Sequence, residues 1–148
     1  GRLEWRPLLD EPVGLVVPLG LAEPTSLAEL AEQAWIGGCV RCRGHLVECC
    51  ERAGFTPQLR HTTDDYVVVQ NLVARGLGVT VLPASALQAY RHPGVRVVEL
   101  AELGRRHVGL AHRAGADAVP ATAALVVELR RSAATPPGSL PGADHLRR

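Results

Sequence analysis

Apolar residues recur along the chain in two alternating rhythms. Short runs rich in valine and leucine read as strands, and stretches with apolar residues three and four apart read as helices. The runs predict strands over 13–17, 35–37, 58–61, 77–82, 95–99 and 106–111. The helical spacing predicts helices over 26–33, 41–53, 64–75 and 121–132, with a helical turn over 84–89. Punctuation supports these limits. Pro18 closes the first strand, Gly54 and Gly76 stand where helices stop, and Pro120 sits at a helix start. Ser26 followed by Glu29 has capping-box spacing.

The clearest stretch runs from Thr62 to Pro83. Thr63 or Asp64 can accept hydrogen bonds from the first helical amides, and two aspartates complement the positive end of the dipole. Val68, Leu72 and Val73 form one stripe, with Val69 on its edge. Gly76 ends the helix, and Leu77 through Leu82 has the composition of a strand buried on both faces. Strands alternating with helices predict an α/β fold, an open parallel or mixed sheet flanked by helices.

Ligands of such sheets bind beyond the carboxyl ends of the strands. That rule selects the turn after Ile36, the corner after His61, and Leu82 with Pro83. Gly37 and Gly38 let a ligand approach the backbone closely, with Cys39 beside them. Thr62, Thr63 and the amides near Asp64 suit a carboxylate or another acceptor. Capping and tight turning are the plain structural uses of the same residues.

Composition narrows the function classes. At 148 residues the chain fits one compact domain with a small satellite, and a formal net charge of +1 gives no footprint for nucleic acid or anionic membrane. No Gly-x-Ser-x-Gly, phosphate-binding loop or His-Glu-x-x-His occurs, so no catalytic residue and no cofactor are assigned. Cys39, Cys42, Cys49 and Cys50, with His45 between them, carry the rival signal. Their spacing allows a redox pair or a zinc site, and it equally allows inert core or surface thiols. No metal ligand set is assigned. Four cysteines without a leader favour a reducing cytoplasm.

The motif LVARGLGVTVLP over 72–83 resembles the LVAxGLGVxxLP signature of the effector-binding domain in LysR-type transcriptional regulators. Further landmarks follow in the family's order: LVVP from Leu15, SLAEL from Ser26, WIGG from Trp35, AGFTP from Ala53, and RHVGLAHR from Arg106. The match covers roughly 13–131. It departs at Leu19, where LGLA replaces the usual His-Pro-Leu-Ala turn.

The resemblance implies a periplasmic-binding-protein-like subdomain plus part of a second. Residues 1–12 would be hinge and strand from the first subdomain, 13–103 the second subdomain, 104–132 the return segment, and 133–148 a disordered tail. It implies an effector cleft walled by Gly37, Gly38, Cys39, Thr62, Thr63 and Asp64. It implies a small-molecule effector, a homo-oligomeric parent (dimer or tetramer) with the helix over 41–53 at the interface, no membrane partner, and DNA contact only through an N-terminal winged helix-turn-helix preceding Gly1. The absence of Met fits a fragment cut before the hinge. A solute-binding protein for transport, with the same architecture, is the alternative from a different class.

Overall fold

The computed structural model describes residues 1–134, so most of the tail expected over 133–148 lies outside the described residues. The chain divides into two compact units. One comprises Pro12–Gly104, and the other Gly1–Glu11 with 105–134.

In the larger unit, the distal half of β1 (Leu3–Pro18) is the central strand, buried on both faces from Pro12 to Val17. It pairs antiparallel with β4 (Thr80–Pro83) through Val13↔Pro83 to Val16↔Thr80, and with β5 (Val95–Val98) through Leu15↔Val98 to Pro18↔Val95. β2 (Ala34–Gly37) and β3 (Gln58–Thr62) are parallel neighbours, paired from Ala34↔Gln58 to Gly37↔Thr62 with a shift of register between Trp35 and Ile36. A parallel bridge at Trp35↔Val79 joins β2 to the start of β4. There Ile36 N donates to Val79 O and Val79 N to Ala34 O, both at 2.9 Å, and the buried Thr80 hydroxyl donates to Ile36 O at 2.8 Å. The sheet is therefore mixed, with β3, β2 and β4 parallel and β1 running against them.

Alternation along each strand sends neighbours to opposite faces. Val13, Leu15 and Val17 join Leu27, Leu30, Trp35, Leu46, Cys49 and Cys50 on the face covered by α1 (Val40–Arg52). Val16, Ile36 and Leu82 join Val69, Val73 and Leu87 under α2 (Tyr66–Ala74) and α3 (Ala84–Ala89). Trp35 is fully buried, donates its indole N–H to Leu30 O at 3.3 Å and tilts against Phe55.

Several local expectations need correction. The helix expected over 26–33 is a single 3-10 turn, Leu27–Leu30. The Ser26 side chain caps nothing, because Glu29 accepts from Thr25 N at 3.1 Å and from the Thr25 hydroxyl at 2.6 Å. Those bonds hold its carboxyl below the usual carboxylate range. α2 is capped by Asp65, not by Thr63 or Asp64. The Asp65 carboxylate accepts from Val67 N and Val68 N at 2.8 and 3.0 Å, and Thr63 Oγ1 accepts from Asp65 N at 3.2 Å. The buried stripe of α2 is Val69, Gln70 and Val73, whereas Val68 is exposed. Gln70 is accommodated because its amide donates to Tyr66 O and Tyr90 O and accepts from His92 N. The fourth strand begins at Thr80 rather than Leu77, which is exposed.

The smaller unit pairs the proximal half of β1 with β6 (Arg105–Arg113), and α4 (Pro120–Ala133) follows with Pro120 in its first turn. Trp5 lies over Gly109, where any Cβ would collide with the indole. Glu11, fully buried, is paired with Arg106, and Arg6 reaches Asp117 at 3.1 Å. α4 buries none of its fourteen residues, and Leu125 and Val127 are more than half exposed.

Candidate functional site

Three parallel strands end along one edge of the larger unit: β3 at Thr62, β2 at Gly37 and β4 at Pro83. Thr63 N donates to Gly37 O at 3.0 Å, so the two corners singled out from the sequence are tied side by side. Gly37 is buried and Gly38 partly so, while Cys39, Thr62 and Asp64 are exposed and Thr63 is half-buried. All six expected residues thus come to one corner. Leu82 and Pro83 end the neighbouring strand on the same edge.

α1 starts from this corner. Cys39 is its N-cap: Cys39 Sγ accepts from Cys42 N at 3.4 Å, and Cys39 O accepts from Arg43 N at 2.8 Å. The first amides of the helix have no helical carbonyl to bond, and they carry the positive end of its dipole. A Cβ on Gly38 would meet Cys42 Cβ at 3.3 Å and lie 4.0 Å from Thr63 O, so glycine keeps that backbone open. Over Gly37, the aliphatic stem of Arg43 passes 3.7 Å from where a Cβ would stand. Arg43 was not singled out from the sequence, since only the phase of α1 reveals which arginine lies over the glycine.

The hydroxyl of Thr63 accepts from Asp65 N, yet it retains a proton to donate. The corner therefore brings together the Thr62 and Thr63 hydroxyls, the dipole end of α1 and the side-chain stem of Arg43, a set that suits a small acceptor such as a carboxylate. Asp64, exposed at the same corner, disfavours dense negative charge.

The cysteines separate into two pairs. Cys39 and Cys42 are exposed with sulfurs 2.9 Å apart, and the hydrogen bonds from the Cys42 thiol and amide hold the Cys39 thiol below its ordinary pKa. Cys49 and Cys50 are buried in the core. Burial pushes both up, Cys50 to about 12, although Arg52 opposes the shift at Cys49 with a hydrogen bond at 3.2 Å. His45 bonds Leu103 O at 2.9 Å and lies 3.5 Å from Cys49 Sγ. Among the described residues no three His, Cys, Asp or Glu groups are placed to hold a metal ion.

The family model for the LysR substrate binding domain matches residues 1–134. The chain belongs to that family. No curated protein sequence matches it. Solved structures similar to this LysR domain include the Synechocystis PCC6803 CcmR regulatory domain in complex with 2-PG, with a TM-score of 0.79 and 17% identity over 92% of this chain and 69% of that one. The effector binding domain of QuiR in complex with shikimate gives 0.74 and 19%, covering 89% of this chain and 66% of that one. An OxyR variant of Corynebacterium glutamicum gives 0.70 and 21% over 88% of this chain, but only 43% of that one. The LysR domain described here thus spans roughly half to two thirds of the solved chains it resembles. No helix of the described residues is long and apolar enough to cross a membrane.

Proposed function

We propose that this LysR domain is the small-molecule sensing portion of a cytoplasmic bacterial transcription regulator. Its effector presents a carboxylate or similar acceptor to the corner formed by Gly37, Gly38, Cys39, Thr62, Thr63 and Asp64. The observation that carries this is the tie between Thr63 N and Gly37 O, which sets the ends of two parallel strands beside the start of α1. A ligand there approaches a backbone that carries no Cβ at Gly37 or Gly38, and Arg43, whose stem passes over Gly37, supplies the opposite charge. The similar CcmR and QuiR domains hold small ligands, which supports the same kind of use. DNA contact and assembly into a dimer or tetramer belong to the parent regulator, and the domain itself binds without catalysing.

A thermal-shift screen of small organic anions against neutral analogues tests this. A true effector raises the midpoint, and calorimetry then gives its affinity. Thr63→Val removes one hydroxyl while Asp65 still caps α2, so affinity should fall about fivefold, the equivalent of roughly 1 kcal/mol for one hydrogen bond. Arg43→Ala should cost anionic ligands more than neutral ones. An anion that binds both variants as tightly as the unaltered chain would place the site elsewhere.

A further inference from the structure

The first turn of α1, which starts at the proposed effector corner, carries a second feature with its own chemistry. Cys39 and Cys42 are both exposed, three residues apart, with sulfurs at 2.9 Å. Ordinary sulfur contacts are longer, and a disulfide requires about 2.05 Å, so closure needs an approach of less than about 1 Å. Cys39 is the helix N-cap and lies on an exposed loop next to Gly38, where backbone rotation is least hindered. Both sulfurs are open to a reagent from solvent. The core thiols Cys49 and Cys50 are at most 1% exposed, so the same reagent does not reach them.

We propose that Cys39 and Cys42 form a redox modification site, in which hydrogen peroxide converts the dithiol to a reversible disulfide within one turn of helix. Cys39 is the attacking sulfur. Its thiolate is favoured by the bonds from Cys42 and by the amide end of α1, against a smaller opposing effect of Asp64. The thiolate attacks one peroxide oxygen, the O–O bond breaks, and a sulfenic acid forms with release of hydroxide, which takes up a proton to become water. Cys42 sulfur then attacks the sulfenic sulfur, the S–O bond breaks, and the hydroxyl leaves with the Cys42 proton as a second water. Two thiols lose two electrons in all, and one peroxide gains them. Exchange with an external dithiol restores the pair. Closing the ring pulls Cys39 toward Cys42, and with it the Gly38 backbone beside Thr63, so the modification changes the effector corner. The redox claim itself does not depend on that corner binding anything.

The test treats the full chain with one to a few equivalents of hydrogen peroxide, denatures it in an alkylating reagent, and counts labelled cysteines by intact mass and peptide mapping. Unoxidised chain takes four labels. Oxidised chain should take two, at Cys49 and Cys50, and dithiothreitol should restore all four. In the native state Cys39 should alkylate at least about tenfold faster than Cys49 or Cys50. Cys42→Ser should still react with peroxide and trap a dimedone adduct on Cys39. Cys39→Ser should lose the fast reaction while keeping the same melting midpoint. Persistence of four labels, loss of Cys49 or Cys50 before the exposed pair, or disulfides only between chains would overturn the proposal. A failed effector screen would leave these labelling results unaltered.

Discussion

Gly78 should be the least replaceable residue of the larger unit. Its φ of +156° lies where L side chains rarely sit, and an added methyl would stand 2.8 Å from Ala34 O and 3.1 Å from Ile36 Cγ1. The first neighbour is backbone and accepts the 2.9 Å bond from Val79 N, so it cannot swing aside. Relief requires β2 to move from β4 by roughly half an ångström, stretching the bonds around the Trp35↔Val79 bridge. Overpacking of this kind costs about 1–3 kcal/mol, and a strained backbone about 1–3 more. Gly78→Ala should therefore lose about 3 kcal/mol. Gly76 provides the control. Its φ is +74°, but nothing lies within 4 Å of its Cβ position, so Gly76→Ala should lose only about 1 kcal/mol. Urea unfolding followed by the fluorescence of Trp35, which is fully buried, reads both. Trp5, 59% exposed, will contribute little change, and far-UV circular dichroism checks that the transition is the same. If the two variants lost equal stability, the steric account of the β2–β4 junction would be refuted and backbone conformation alone would govern both sites.

Asp65→Ala removes both acceptor bonds at the start of α2 and should cost about 1 kcal/mol, whereas Asp64→Ala should cost a few tenths; chemical denaturation of both variants checks which aspartate caps. Cys50, pushed up to about 12 by burial and then by the neighbouring Cys49, keeps its proton in the folded chain. Its contribution is intact below pH 9 and is lost as pH rises from 9 toward 12, at about 1 kcal/mol per pH unit, because the unfolded thiol ionises first. Cys50→Ala should lower stability at neutral pH yet flatten that alkaline decline, as a denaturation series across pH will show. Limited proteolysis should cut within 105–134 before Pro12–Gly104, since α4 buries none of its residues. Equal resistance of both units would mean that the exposed face of α4 is covered in solution.

The legible parts of the sequence were those written in local chemistry. Gly54 and Gly76 adopt positive φ at the helix ends where glycine was expected, and β2, α1, α3 and β5 fall within a residue or so of the pattern's limits. For the proximal half of β1 only the resemblance supplies a reading, hinge and strand over 1–12, because Pro7, Asp10, Glu11 and Pro12 interrupt its apolar rhythm. Its polar residues are satisfied by Asp117, His107 and Arg106, more than ninety positions away, and a local pattern cannot record such partners. The cap of α2 was misplaced by one or two residues for a different reason. Thr63, Asp64 and Asp65 are all good caps, and only the packing of Val69 and Val73 decides among them. That shift rotated the predicted stripe and hid Gln70, whose partners lie at Tyr90 and His92.

The candidate corner was legible for a more general reason. Where parallel strands end, their last carbonyls and the next helix's first amides must find partners, and glycine or hydroxyl residues at those ends leave them open to a ligand. Here the Gly37↔Thr62 pairing and the bond from Thr63 N to Gly37 O join the two corners, while just behind them Ile36 is held by Val79 and by the hydroxyl of Thr80. Rigidity thus begins one residue inside the edge. A ligand or a disulfide that moves Gly38 and Cys39 works against few bonds, yet it pulls directly on α1, whose Leu46, Cys49 and Cys50 pack into the same core as Trp35. α1 is thus the element on which the proposed effector or the proposed disulfide would pull first.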